Sequence, residues 1–472
     1  MSNDSDVDLE ASPYRSIWTL AWPQVLMMVF HFLIGFVDVW AAGRLGREVQ
    51  ATMGMITQAL FFFMVVAIAV ANGSVAAISQ SIGAGLIKRS LRYVGLCLEV
   101  GLALSGVIAL LGLLIKGFFL DLLQIPAEIA PIAEYLFTVY LYVLPFYYLF
   151  IISNAVFRAQ KKVLLPLYAM IVVTVLNTAG DLLFGLGYLG FPRLGYQGLA
   201  WATFFSILAG MLFNLVALWR MGYLQKSSFA PWRWVRKAWP YLFKVAWPAG
   251  LMQVVWHSAY LVLYAITASL PQGSVVALAA MSAGIRVESL LFLPGFALNF
   301  TASILVGHFL GAGKPEVAKQ VGYRILGVGV ISITVLTGAV WLVIDPIVGF
   351  IAPDSSVQSE TVNYLRFNMT GIPFLLTAMI LGGALVGAGA TLYQMFVFGI
   401  ASWGIRIPLA FVLGHFLVGG ATGIWAAMLF SMIMQALIML YVYQSKDWQR
   451  FAMKKRMQRE CGETPESVLP RR

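Results

Sequence analysis

Two carboxylates interrupt apolar runs of this chain. They are Asp38, in Gly35-Phe36-Val37-Asp38-Val39, and Asp181, in Asn177-Thr178-Ala179-Gly180-Asp181. A charge at mid-membrane costs about 2.5 to 3.5 kcal/mol on insertion scales and by default marks a functional site. Asp38 lies 38 − 23 = 15 residues beyond Pro23, roughly 22 Å along a helix, and so deep or toward the outer half of a bilayer. Asn177 and Asp181 are four residues apart and project from one helix face, which Thr174 shares. Desolvated and beside a like neighbour, a carboxylate there can take up a proton near physiological pH. The same oxygens suit a hard monovalent cation such as sodium. The plainer reading is that the acids only fix helix packing through backbone hydrogen bonds or a cation. Arg406 is a candidate counter-charge across a cavity, or simply a residue at a helix end.

These residues must be positioned by a duplicated scaffold. Ala21-Trp22-Pro23-Gln24-Val25-Leu26-Met27 returns as Ala246-Trp247-Pro248-Ala249-Gly250-Leu251-Met252, an offset of 246 − 21 = 225. The same offset links Leu167-Tyr168-Ala169-Met170 to Leu392-Tyr393-Gln394-Met395, and Gly198-Leu199-Ala200-Trp201-Ala202 to Gly423-Ile424-Trp425-Ala426-Ala427. Long apolar repeats of this kind are characteristic of secondary transporters. The copies differ where chemistry is expected: Asp38 maps to Leu263, Asn177 to Ser402 and Asp181 to Arg406. A packing residue tends to persist in both copies, whereas a working residue can exist in one.

Composition sets the solvent. Hydrophobic residues make up 60% and charged residues 11%, against about 25% charged in a typical soluble domain. Spans of about 20 apolar residues recur roughly twelve times by the same length rule. The expected fold is therefore an all-α membrane protein, with twelve transmembrane helices in two six-helix bundles related by a pseudo-two-fold axis along the membrane normal. Its expected parts are a cytoplasmic segment (residues 1–15), a first bundle (16–220), a cytoplasmic linker (221–245), a second bundle (246–445) and a basic tail (446–472). No cleavable signal peptide is expected, because the stretch from Met1 to Pro13 is polar and acidic rather than basic and then apolar. Pro23 and Pro248 fall early in the first helix of each copy; Pro23 is a candidate hinge or merely a helix-start proline.

The net charge of +11 does not point to nucleic acid. Lys and Arg gather in alternate loops (Lys88 to Arg92, Arg158 to Lys162, Arg220 to Lys244, Lys314 to Arg324, and the tail), whereas Asp121 to Glu134 and Pro353 to Glu360 are acidic. Arg44, Arg47 and Arg193 are exceptions. This is the positive-inside pattern of a multi-pass protein of the cytoplasmic (inner) membrane with both termini cytoplasmic. Cys97 and Cys461 are too far apart in character to pair, and His31, His257, His308 and His415 are too scattered to form a metal cluster. Of these, His31 and His257, with Arg406, are candidate substrate-cavity residues. Arg286 and Glu288, near the outer start of helix 8, are candidates to pair with each other or to line the mouth.

The run Asp38-Val39-Trp40-Ala41-Ala42-Gly43-Arg44-Leu45-Gly46 resembles the first-helix motif of the multidrug and toxic compound extrusion (MATE) transporters. So do Asn177-x-x-x-Asp181 with Gly187, Gly195, Gly198 and Trp201-Ala202-Thr203, and the segment Pro294-Gly295 with Val306-Gly307-His308-Phe309-Leu310-Gly311-Ala312-Gly313. The resemblance covers about residues 14–445. It implies two six-helix bundles in a V and an antiporter, not an enzyme, exporting amphiphilic or cationic drugs or metabolites in exchange for protons or sodium. The coupling site carries over to Asp38, Asn177, Asp181 and Thr203, which would also be the ligands of any sodium ion. No cofactor beyond the coupling ion is implied, the expected partners are the lipid bilayer and a small amphiphilic substrate, and the expected state is a monomer.

One branch of that family relies on carboxylates in helices 7 and 10. Helix 7 (Val245 to Leu270) and helix 10 (about Tyr364 to Ala388) contain none, so the chain looks closer to the branch that couples through the first bundle, like the DNA-damage-inducible F group. Two other readings compete. A lipid-linked-oligosaccharide flippase would need a cavity rich in Arg and Lys, toward which Arg286 and Arg406 contribute little. A polytopic membrane enzyme would need His, Asp or Glu clustered near one membrane face.

The loop charges generate a topology test. Single cysteines at positions 89, 162, 236 and 319, in a background lacking Cys97 and Cys461, are expected to resist an impermeant thiol reagent applied to intact cells. Cysteines at 128, 272 and 356 are expected to react. Labelling of position 236 from outside would overturn the span count.

Overall fold

The structure is a computed structural model, and it describes residues 12–122, 125–351 and 354–453. Residues 1–11, and the tail from 454 with Cys461, lie outside the described residues. Backbone N–H and C=O groups in hydrocarbon find no water, so an apolar run can cross only by closing its hydrogen bonds along a helix. Among the described residues, twelve helices long and apolar enough to cross a membrane result: α1 (Pro13–Leu45), α2 (Arg47–Gly83), α3 (Ile87–Leu122), α4 (Ala130–Ala159), α5 (Leu164–Gly185), α6 (Tyr196–Arg220), α7 (Trp232–Ala268), α8 (Ser274–Gly311), α9 (Pro315–Leu342), α10 (Ser355–Ala388), α11 (Thr391–Leu417) and α12 (Gly420–Ser445). A short helix, Ile344–Ile351, precedes α10. The glycine-rich runs after α2 and α8 form turns: Gly85 and Gly313 hold φ of +74° and +76°, a region that costs a residue with Cβ.

The chain divides into two compact units. One spans Trp22–Ala246; the other combines, among the described residues, 12–21 with 247–453. Both divisions fall inside a helix, between Ala21 and Trp22 of α1 and between Ala246 and Trp247 of α7. Ala21 and Ala246 are partners in the sequence repeat, so the two breaks occupy the same point of each copy. Pro23 lies within α1.

Within each unit the packing follows the duplication. In the first, α4 packs on α2, α3 and α6, and α6 on α5; in the second, α10 packs on α8, α9 and α12, and α12 on α11. Polar side chains tie α4 to α6, where the Asn214 amide donates to Ser153 Oγ (2.9 Å) and Asn154 Oδ1 (2.8 Å). Glycine sets the spacing of α8 and α10: a Cβ at Gly383 would stand 2.2 Å from the Asn299 carbonyl oxygen, and one at Gly387 2.1 Å from that of Ser303. Small residues four apart let two backbones touch where apolar lipid supplies no drive for helix association.

Two differences from the sequence reading are structural. The segment 221–245 forms a short turn at Lys226–Ser228 and then the first two-fifths of α7. It is held on α3: a Cβ at Gly95 would meet the Ser228 carbonyl oxygen at 2.1 Å, and Trp234 stands edge-on to Tyr93 at 5.0 Å; within the segment, Ser228 Oγ donates to the Tyr223 carbonyl at 2.9 Å. Helix 10 also begins earlier than Tyr364. Asp354 caps it by accepting from the backbone N–H of Ser356 and Val357, which adds more than two turns and places Glu360 inside the helix. The expectation that helix 10 lacks a carboxylate is therefore corrected. Glu360 accepts from Trp425 Nε1 at 2.6 Å and from the Asn363 amide at 3.2 Å.

Overpacking a contact this close costs about 1–3 kcal/mol or more. Gly387→Leu is expected to lower the melting temperature of the purified protein and broaden its gel-filtration peak, whereas Gly338→Leu, which meets nothing within 4 Å, should leave both nearly unchanged.

Candidate functional site

The first-copy acids come together. Asp181 and Asn177 are fully buried on α5, and the half-buried Asp38 of α1 lies against both of them. The Asn177 amide points at Thr203 Oγ1 of α6, 3.5 Å away, and that hydroxyl donates to the Leu199 carbonyl at 3.1 Å. Thr174, on the same face of α5, gives its proton to the Met170 carbonyl at 2.8 Å and so has none to offer the acids. Helix α5 changes at this point. From Asp181 to Gly185 it runs in π geometry, with the Leu186 N–H reaching back five residues to the Asp181 carbonyl at 2.9 Å. Single π turns inside α-helices concentrate at functional positions.

The hydrogen-bond accounting is unbalanced in one direction. Asp38 Oδ1, both carboxyl oxygens of Asp181 and Asn177 Oδ1 are buried without a donor. Two carboxyl groups in contact can make a hydrogen bond only if one carries a proton, and a buried acceptor left without a partner loses its hydration uncompensated. The cluster therefore lacks positive charge or protons, and a proton or a small hard cation is what its chemistry can accept. Asp38, Asn177, Asp181 and Thr203 bring oxygens suited to a hard cation. Among the described residues, no three His, Cys, Asp or Glu side chains gather as a metal site.

Two tyrosines of α4 complete the site. Tyr140 sits beside Thr203 and within electrostatic reach of both acids, and Tyr147 within reach of Asp38. They are seven residues apart, two turns of one helix face; that spacing is in the sequence, but among 19 tyrosines nothing singles it out.

The weaker candidates are dispersed. His31 is exposed on α1. His257, half-buried on α7, places Nδ1 2.9 Å from the Gln253 carbonyl of its own helix. Arg406 is 1% exposed in the second unit, where Nε donates to Ser431 Oγ at 2.8 Å and the guanidinium lies over the rings of Trp256 and Tyr260. Arg286 is exposed while Glu288 is buried, so the two do not pair; residues two apart on a helix face different ways. At the second-copy positions Leu263 is fully buried and Ser402 holds a buried hydroxyl.

The MatE family model matches residues 23–183 and again 248–412. The two blocks begin at Pro23 and Pro248, which are partners in the sequence repeat. The chain is 26% identical to the probable multidrug resistance protein NorM of Thermotoga maritima, over 93% of this chain and 94% of that protein. It is 28% identical to the FAD transporter of Shewanella oneidensis, over 66% and 68% of the two chains. Among solved structures, an outward-facing multidrug resistance MATE family transporter of the MOP superfamily superposes with a TM-score of 0.85 at 18% identity, over 94% of this chain and 97% of that one.

Removing one of two abutting buried carboxylates relieves desolvation rather than adding to it. Asp181→Asn is therefore expected to match or exceed the unaltered protein in melting temperature, while Asn214→Leu, which takes the donor from Ser153 and Asn154, should melt lower. A large loss of stability in Asp181→Asn would mark that carboxyl as a structural anchor.

Proposed function

The chain belongs to the MatE family, and on that premise we propose that it is a secondary antiporter exporting amphiphilic or cationic drugs or metabolites in exchange for protons. It is a multi-pass membrane transporter, not an enzyme. The observation that carries the finer reading is the cluster of buried acceptors without donors: Asp38, Asp181 and Asn177 in one unit, with Thr203 and Tyr140 beside them.

Two carboxylates in contact at low dielectric repel strongly, and one shared proton removes the repulsion. A proton entering from outside then changes the charge of the site by one unit without demanding a cage of ligands. A cationic substrate drawn to the ionised pair would be released when the pair is protonated, and loss of the proton inward would reset the carrier. Sodium competes for the same oxygens. It is the less favoured ion because only two acids stand ready to neutralise it and no third His, Cys, Asp or Glu joins them among the described residues.

The cargo is drawn widely. One relative is named a multidrug resistance protein and another an FAD transporter, which supports organic compounds of amphiphilic character rather than a single substrate. The flippase reading loses ground because Arg406, one of its two candidate phosphate-holding cations, is buried and held by Ser431. The positive loops support residence in the cytoplasmic membrane with both termini inside.

Uptake of ethidium into proteoliposomes, driven by separately imposed pH and sodium gradients, tests the proposal. The expected result is transport under a pH gradient in sodium-free buffer, lost in Asp38→Asn and largely kept in Leu263→Ala, with Tyr140→Phe lowered several-fold. Strict dependence on sodium, or normal pH-driven transport by Asp38→Asn, would overturn it.

A further inference from the structure

The second unit holds a charge arrangement that the first-copy site does not use. Glu288 of α8 is 1% exposed, and its Oε1 is buried without a donor. Arg406 closes the π segment Ile400–Arg406 of α11. Ser431 takes its Nε, aromatic rings of α7 cover its face, and its Nη2 is buried without an acceptor. An acceptor lacking a donor and a donor lacking an acceptor thus occur in one unit, within electrostatic reach of each other but not in a direct ion pair.

Tyr364 of α10 lies between the two possibilities. Its hydroxyl faces the Glu288 carboxyl, and its ring is fixed there: a Cβ at Gly284, one turn before Glu288, would stand 2.1 Å from the ring. Trp425 packs edge-on at 4.7 Å, itself anchored to Glu360. The titratable and charged groups around Glu288 are Tyr364 on α10 and Arg406 on α11, with Tyr260 and Tyr264 of α7 around those. Arg286, on its own helix, is exposed, and Glu360 is taken up by Trp425 and Asn363. Among the described residues, no charged group of α9 or α12 joins them.

A permanent structural ion pair would bring the two charges into contact with their remaining atoms hydrogen-bonded, since a buried charge left apart keeps its full desolvation penalty. The arrangement is instead that of a carboxylic acid beside a waiting guanidinium. We propose that Glu288 is a second proton-carrying carboxyl, alternating between a protonated form facing Tyr364 and an ionised form paired directly with Arg406. The duplication gives the arrangement its logic: where the first copy has Asp181, this copy has Arg406, so its cation is built into the chain and its acid exchanges only a proton. On ionising, the Glu288 O–H bond breaks, the proton leaves to water, and the carboxylate takes the free Nη2 N–H of Arg406.

The test does not depend on the first-copy site. Infrared difference spectra are recorded on the full-length Asp38→Asn, Asp181→Asn double variant as pH is changed, without substrate. A carboxylic-acid carbonyl band is expected to titrate in the double variant and to vanish when Glu288→Gln is added. Arg406→Gln, which removes the waiting cation, should move that titration by about 1 pH unit or more toward higher pH. Arg406→Lys, which keeps the charge and serves if the glutamine variant fails to fold, should move it less. Spectra unaltered by Glu288→Gln would overturn the proposal. So would a Glu288 band that does not titrate, or one that titrates without responding to either substitution of Arg406. Failure of pH-driven export in a protein that retains the Glu288 band would count against the first-copy coupling site alone.

Discussion

A carboxyl oxygen without a donor, inside a bundle where water cannot supply one, loses its hydration and gains nothing from the protein in return. Asp181 carries two such oxygens and Asp38 one, Asn177 adds an amide oxygen in the same state, and all four belong to one cluster. Much of the surrounding architecture bears on that imbalance. α5 brings Asn177 and Asp181 to one face and then opens into a π turn at the acid itself. α6 supplies Thr203, whose proton is already committed to Leu199, and α4 supplies tyrosines at the margin. The surrounding helices spend their own hydrogen bonds internally, as hydrocarbon requires. The four unpaired oxygens of this cluster therefore lie where a mobile positive charge can act.

The two copies solve this electrostatic problem differently on one scaffold. Their helices pack in the same pattern, and both place a π segment in the fifth helix of the copy, at Asp181 in one and ending at Arg406 in the other. In the first copy the segment presents an acid to another acid; in the second it presents a guanidinium braced by Ser431, Trp256 and Tyr260. Aromatic faces and one hydroxyl suffice to keep a cation in place at low dielectric, which is why Arg406 is tolerated with so little exposed surface. Duplication supplied the frame, and substitution at equivalent positions made it chemically asymmetric.

Legibility from sequence follows the range of the interactions. The offset of 225 and the twelve spans rest on periodicity and hydropathy along the chain, and so are readable directly. The cluster of Asp38, Asn177 and Asp181 was partly legible, because a four-residue spacing fixes a helix face and a charge in an apolar run stands out. Thr203 is marked only by the resemblance to MATE transporters. Tyr140 and Tyr147 are not legible in the sequence, since one tyrosine among many carries no local signal of what lies across from it. The π turns leave no mark in composition: Asp181–Gly185 reads as ordinary helix. Glu360 reads as a loop residue in the sequence because the run Ser355 to Thr361 is polar, whereas Asp354 caps that run and starts α10 there. The pairing of Glu288 with Arg286, plausible by proximity along the chain, fails for a reason of helical geometry.

The division of the chain inside α1 and α7 has a consequence for biosynthesis. Residues 12–21 are made before Trp22–Ala246, yet they cluster with residues 247–453, which are made only after the whole of that stretch. At about 5–20 residues per second, the earliest helical turns wait on the order of ten seconds to a minute for their own unit to exist. The first unit has no such delay, because its closing segment, the Lys226–Ser228 turn against Gly95 and the start of α7, arrives directly after α6. The order of assembly is then set by topology: the first copy can complete itself while the second is still being translated, and the amino-terminal turns of α1 are among the last parts of the molecule to find their neighbours.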